Sequence, residues 1–246
     1  MKDGYQGAER RRRGWIIAMD GPAGVGKSTI GHSLAKRLGM VFINTGEMYR
    51  ALAWKALQEG LEPKDEEKVV ALASRIQWEF KPIGGAIVRT FVDGVRIDDQ
   101  IRAENVSRAS SAVAAIPGVR KLMRTMQRKI GERGNIVMEG RDITTNVFPE
   151  ADFKIYLDAS LDERAARRYR QLKTQGFSAD LDEIRRSIRE RDLRDVQRKI
   201  NPLTQAPDAL VIDSTHLSLE QVTDKIIRAI HRKDRRKPVR KSSQRS

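Results

Sequence analysis

Trp15-Ile16-Ile17-Ala18-Met19-Asp20-Gly21-Pro22-Ala23-Gly24-Val25-Gly26-Lys27-Ser28 carries the decisive pattern of this chain. Its apolar start, stopped by Asp20 and followed by a glycine-rich stretch, reads as a buried strand entering a tight loop. Beyond it Ile30, Leu34, Ala35 and Leu38 recur at helical spacing until Gly39 supplies a stop. Gly21 to Ser28 matches G-x-x-x-x-G-K-[ST] in full, in the strand–loop–helix setting the pattern requires. Glycines let successive backbone N–H groups close around a di- or triphosphate, with the positive end of the helix behind them. Gly21, Pro22, Ala23, Gly24, Val25, Gly26, Lys27, Ser28 and Thr29 are therefore expected at the donor nucleotide. Lys27 is expected on its outer phosphates and Ser28 on Mg²⁺.

Working outward, Met40 to Ile43 reads as a second strand, Asn44-Thr45-Gly46 as a turn and Tyr49 to Leu57 as a helix. Apolar runs at Ile136–Met138, Phe153–Leu157 and Ala209–Ile212 each meet a carboxylate at their carboxyl edge: Glu139, Asp158 and Asp213. Helical patterns at Asp162–Leu172, Leu181–Ile200 and Leu219–Ile230 alternate with them. The predicted fold class is α/β, about five parallel strands covered by helices on both faces. Residues 61–117 differ in texture. A polar helix at Asp65–Arg75 precedes short strands at Ile76–Phe80, Ile87–Val92 and Val95–Ile97, with Asp93-Gly94 as a hairpin signal. A helix from Arg102 to Ile116 then ends before Pro117. The expected organisation is a core of residues 15–60 and 118–232, an insert of 61–117, a basic extension of 1–14 and a basic, disordered tail of 233–246.

Composition removes whole classes of function. Of 246 residues, 48 are Lys or Arg and 33 Asp or Glu, a net charge of +15. Residues 1–14 hold five basic and two acidic side chains and residues 228–246 nine and one, so most of the excess lies at the two ends. With 39% hydrophobic residues the body between can bury one sizeable core. No apolar run approaches the roughly 18 residues of a membrane span. The absence of cysteine excludes disulfides, thiolate metal sites and cysteine nucleophiles, and three histidines are too few for a histidine cage. A cytoplasmic monomer acting on small molecules, without a membrane partner, is the expectation. Nucleic-acid binding through the basic tails is a lesser alternative, since polycations hold phosphate backbones without reading sequence.

Three clusters fall where the topology brings strand ends together: Asn44 to Arg50, Glu139 to Asp142, and Arg191 to Arg198. Ligands of such sheets bind outside the carboxyl ends of the strands. Arginines converging on a phosphate loop suggest a second phosphorylated substrate, because guanidinium forks grip phosphate bidentately. For Arg164, Arg167, Arg168, Arg170, Arg185, Arg186 and Arg189, solvated i,i+4 pairing with interspersed acids competes with that reading.

The ordered set Asp20-Gly21-Pro22-Ala23-Gly24, Thr45-Gly46-Glu47-Met48-Tyr49-Arg50, Gly140-Arg141-Asp142, Val147-Phe148-Pro149 and Arg191-Asp192 through Arg198 resembles the bacterial cytidylate kinases from about Ile16 to Ile230. The resemblance implies a P-loop nucleoside-monophosphate kinase core, a monophosphate-binding insert at 61–117 and a lid near 164–177. It implies ATP as phosphoryl donor, with CMP or dCMP as acceptor. Ser111, Arg120 and Asp142 would read cytosine, Asp195 the ribose, and Thr45, Tyr49, Arg50, Arg141, Arg191 and Arg198 would surround the acceptor phosphate and the group in flight. Lys27, Arg141, Arg191 and Arg198 would be the catalytic cations. Two positions depart from the family pattern: Glu139 stands where Asp is common, and Thr144 where Gly is common. The competing readings are a P-loop kinase of another small acceptor and a nucleotide-switched RNA- or ribosome-binding protein.

Overall fold

A computed structural model describes residues 14–83, 87–98, 100–132 and 134–235. The run opened by Trp15 forms β1 (Ile16–Asp20), and every one of its residues is buried. Ile17 and Met19 point into one apolar cluster and Ile16 and Ala18 into another, so both faces of the strand are covered. That is why it reads as a continuous hydrophobic run rather than an alternating one. The phosphate loop feeds α1 (Lys27–Leu38), which ends at Gly39 in the left-handed region (φ 64°), its N–H returning to the Ala35 carbonyl.

Strand β2 (Val41–Asn44) leads without a break into α2 (Thr45–Gln58). The turn expected at Asn44-Thr45-Gly46 is a helix N-cap instead: Asn44 Oδ1 accepts from the Gly46 N–H at 3.0 Å. The same residue types favour caps and turns for the same reason, a side-chain acceptor for free backbone donors. Helix α3 (Glu66–Arg75) is capped by Asp65, and β3 (Trp78–Ile83), β4 (Ile87–Val92) and β5 (Val95–Arg96) follow. The β4–β5 turn places Asp93 and Gly94 at φ 51° and 78°, the conformation such a two-residue hairpin demands.

A 3₁₀ turn (Gln100–Arg102) precedes α4 (Glu104–Val113), and the chain re-enters helix at α5 (Pro117–Gly131). Helix α4 thus ends at Val113, three residues short of the Ile116 expected, and Pro117 starts α5, because proline suits a first helical turn. Strand β6 (Ile136–Glu139) is followed by a single wide π turn (Ile143–Val147), then β7 (Phe153–Asp158) and α6 (Leu161–Thr174). Helix α7 (Leu181–Gln197) stops three residues short of the Ile200 expected from periodicity, and β8 (Leu210–Asp213) and α8 (Leu219–Arg235) complete the chain.

The strand order is β3-β4-β2-β6-β1-β7-β8, with β5 on β4. Strands β2, β6, β1, β7 and β8 run parallel, the five-stranded sheet expected. The β3–β4 hairpin is antiparallel within itself and joins the sheet beside β2, Phe42 opposite Ile87. One face is covered by α1 and α8, through Leu34, Ala35, Ile226 and Ile230. A further cluster joins Met48 and Leu52 of α2, Val69 and Leu72 of α3, Val106 and Val113 of α4, and Val119 and Met123 of α5. Each such side chain, fully buried, contributes about 1.5–3 kcal/mol before conformational entropy is subtracted. Residues 1–13 and 236–246, most of the two charged ends, lie outside the described residues. Among the described residues no helix is long and apolar enough to cross a membrane.

Candidate active site

Chain order reverses beside β1, which lies between β6 and β7, so the carboxyl ends of β1 and β6 open a crevice. The phosphate loop lines it. Gly21 has φ 148°, and a Cβ there would sit 2.0 Å from the Leu157 carbonyl oxygen; Gly26 has φ 91° where the loop turns into α1. Both positions exclude a side chain for physical reasons. Lys27 is only 5% exposed, and its Nζ donates to the Gly21 and Pro22 carbonyls, each at 2.7 Å. Burial first, and the neighbouring Arg141 charge second, push its ammonium well below the ordinary lysine value, while Glu139 opposes them.

Glu139, at the end of β6, accepts from Ser28 Oγ at 2.5 Å, and its backbone carbonyl accepts from Thr45 Oγ1 at 2.7 Å. The longer side chain at position 139 therefore reaches the phosphate-loop serine. A hydroxyl and a carboxylate side by side are hard oxygen donors, the kind Mg²⁺ selects. The Ser28–Glu139 pair thus fits that ion. Thr45, expected at the acceptor, spends its hydroxyl on the β6 carbonyl.

Facing the loop stands a wall of paired charges. Arg120 Nη2 on α5 donates to Asp142 Oδ2 at 2.6 Å, with both side chains under a tenth exposed. Arg120 Nη1 also reaches the Ala114 carbonyl at 3.3 Å, three residues past Ser111. Ser111 itself is half-buried on α4 and makes no hydrogen bond to Arg120 or Asp142. The Arg120 guanidinium lies 5.9 Å from the Tyr49 ring centre. Arg141 Nε donates to Asp195 Oδ2 at 2.9 Å. Arg198, at the end of α7, is 3.8 Å from Asp142 and 3.7 Å from Asp195, and its Nε donates to the Asn201 carbonyl at 2.7 Å. Arg120 Nε and Arg198 Nη2 are buried without hydrogen-bond partners, an arrangement that leaves donors for an anion or a base. Arg50 donates to the Ile101 carbonyl at 3.1 Å.

Electrostatics follows from this crowding. Burial would raise the Asp195 carboxyl, yet Arg141, Arg191 and Arg198 overcome it and hold the group below the usual carboxylate range. Burial, followed by the charges of Arg141 and Arg50, brings Arg191 down to about 10. Guanidinium groups crowded in this way are of the kind that can grip a phosphate.

Two residues without an assigned role hold the loop from the far side. Asp192 Oδ1 accepts from the Ala23 N–H at 3.0 Å, and its other oxygen pairs with Arg164. Arg164 Nη1 donates to the Ala23 carbonyl at 3.0 Å and Nε to the Ala159 carbonyl at 3.0 Å. Solvated pairing suits Arg185, which pairs with Asp162 and Asp182, but not Arg164, which is 7% exposed. No local signal separates the two, because each sits in a similar alternation of Arg and acid. Behind α1 a cavity of about 330 Å³ is lined by Ser28, His32, Phe42, Asn44, Glu47 and Arg89, among others.

A phosphate loop at the switch point of a parallel sheet, opposed by a wall of arginines, defines a P-loop phosphotransferase. Within that class the chain belongs to the cytidylate kinase family, whose model matches residues 17–232. A cytidylate kinase of Limosilactobacillus reuteri (strain DSM 20016) is 43% identical over 219 residues, 89% of this chain and 96% of the relative. One from Solibacter usitatus (strain Ellin6076) is 44% identical over 225 residues, 91% and 95% of the two chains. A bifunctional pantoate ligase/cytidylate kinase of Synechococcus sp. (strain JA-3-3Ab) is 45% identical over 221 residues, 89% of this chain. The chain spans 41% of that longer relative.

Proposed function

We propose that this chain transfers the γ-phosphoryl group of ATP to CMP or dCMP, giving ADP and CDP or dCDP. The carrying observation is the buried Arg120–Asp142 pair with Arg141, Asp195 and Arg198 beside it, set across the crevice from the phosphate loop. Cytosine presents a ring nitrogen, a carbonyl and an exocyclic amine. A carboxylate acceptor at Asp142 and donors from Arg120 and Ser111 answer those groups. Asp195 serves the ribose hydroxyls, and Tyr49, Arg50, Arg141, Arg191 and Arg198 serve the acceptor phosphate. Residues 61–117 act as the monophosphate-binding insert and 164–177 as a lid, in a cytoplasmic monomer.

An acceptor phosphate dianion is already nucleophilic, so in-line transfer needs positioning and charge stabilisation rather than a protein nucleophile. Lys27 turns from the loop carbonyls to the outer phosphates of ATP. Arg141, Arg191 and Arg198 neutralise charge spread over the migrating group. Ser28 and Glu139 would hold Mg²⁺, which when bound would draw off charge from the phosphate oxygens. The basic ends take no part in the chemistry. A coupled assay with ATP and a panel of nucleoside monophosphates tests the reading: turnover with CMP and dCMP is expected, and turnover with neither would overturn the acceptor.

A further inference from the structure

Asp20 is the last residue of β1, directly before the phosphate loop, and it is fully buried. Its carboxylate accepts three hydrogen bonds: from the Ile143 N–H at 2.9 Å, the Thr144 N–H at 2.7 Å and Thr144 Oγ1 at 2.6 Å. All three donors belong to the start of the π turn, and none is a cation. Burial raises the Asp20 carboxyl in spite of these bonds. A carboxyl buried this deeply depends on every one of these bonds.

The turn gripped by Asp20 is wide and unusual. The Asn146 and Val147 N–H groups both go to the Asp142 carbonyl, at 2.9 and 3.1 Å, and Phe148 N–H to the Ile143 carbonyl at 2.7 Å. Such π turns interrupt regular structure and recur at functional positions. Asp142 immediately precedes the clamped pair, so holding Ile143 and Thr144 fixes where its carboxylate meets Arg120.

We infer that Asp20, with the Thr144 hydroxyl as its third donor, is a positioning residue that sets the register of the acceptor-reading segment against the phosphate loop. The inference rests on the reading of Asp142 as the cytosine contact. It assigns to position 144 a task in this chain, where threonine adds a donor that glycine lacks.

The test begins with the parent enzyme, which must use CMP in preference to UMP; failure there removes the acceptor reading and not the clamp. In Asp20→Asn one carboxylate oxygen becomes an amide NH2 group facing donors. Its kcat/KM for CMP is expected to fall about 100-fold, since an ångström of misplacement costs that much. The CMP-over-UMP ratio is expected to fall several-fold, while a non-hydrolysable ATP analogue binds within about threefold of parent. Thr144→Val is expected to raise the KM for CMP about fivefold more than it lowers kcat, and Thr144→Ser to restore both. If Asp20→Asn does not fold, the Thr144 pair carries the test with the same readouts. Equal losses in ATP-analogue affinity and CMP KM would overturn the inference. So would a lowered melting temperature with an unchanged CMP KM and CMP-over-UMP ratio.

Discussion

The loop Gly21–Ser28 makes its binding surface from backbone, whereas the wall opposite makes its surface from side chains on separate elements. Arg120 comes from α5, Arg141 and Asp142 from the segment after β6, and Arg191, Asp195 and Arg198 from α7 and its end. The loop backbone is held by side chains around it: Lys27 on the Gly21 and Pro22 carbonyls, Arg164 and Asp192 on Ala23, and Arg167 on the Val25 carbonyl, with Glu139 on the Ser28 hydroxyl. The wall is held by its own charges, Arg120 with Asp142 and Arg141 with Asp195. A surface of N–H groups recognises any polyphosphate, because it reads charge and curvature. A surface of oriented carboxylates and guanidinium groups can separate one base from another. On the proposed function, common chemistry would sit on the contiguous side and selectivity on the assembled side.

The largest expected effect is on the loop side. Lys27→Met keeps the buried volume but removes the charge that accompanies the migrating phosphoryl group. Turnover is expected to fall by about 10²–10³-fold at least, the scale for losing one stabilising donor. The CMP dissociation constant by titration calorimetry is expected to stay within about twofold, as the wall is untouched. Removing the buried ammonium relieves its desolvation but takes the donor from the Gly21 and Pro22 carbonyls, so the melting temperature is expected to change little. Near-normal turnover in a folded variant would falsify the division of labour between loop and wall.

Asp142→Asn sharpens the same division from the other side. Lost recognition of the exocyclic amine costs on the order of 1–3 kcal/mol, so CMP use is expected to fall by about 5- to 150-fold. UMP is expected to suffer much less, because an amide can donate to the uracil carbonyl, and ATP-analogue affinity little. Steady-state kinetics on both acceptors decides it. Equal impairment of CMP and UMP would reassign Asp142 to phosphate positioning.

Asp195 supplies a pH test of the wall. Its carboxyl is held below the usual range in the folded protein, so its contribution is fully present above the unfolded value of about 3.9 and is lost as pH falls through the lower folded value. Asp195→Asn should therefore lower the melting temperature near neutral pH. The gap between variant and parent closes below about pH 4. A gap independent of pH across that window would mean that Asp195 acts through its hydrogen bonds and not its charge.

The smallest effect is expected at the ends. Deleting residues 1–13 and 236–246 removes no residue of the loop or the wall, so kcat/KM for CMP at low salt is expected within about twofold of parent. A large loss without unfolding would bring a basic end into the comparison as a third component of the site.

Much of this molecule was determined by sequence alone. The phosphate loop is eight consecutive residues, and its chemistry depends on backbone shape, which Gly21 and Gly26 specify locally. The parallel strands were visible because their apolar runs end in polar groups; β1 and β6 are buried throughout, whereas edge strand β8 leaves Leu210 and Val211 exposed. Other assignments needed contacts across the chain. Asn44 carries one local preference for caps and turns alike, and only its attachment to α2 makes it a cap. Helix α5 hid behind Pro117, a residue that both stops and starts helices. Arg164 and Arg185 occupy equivalent patterns on neighbouring helices, yet one is buried against Ala23 and the other pairs with exposed acids. Asp20 and Thr144 lie 124 positions apart, and Ser28 and Glu139 are 111 apart. Periodicity reports which face of an element is dry. It does not report which distant polar group the fold brings to that face, and only the tertiary structure decided those pairings.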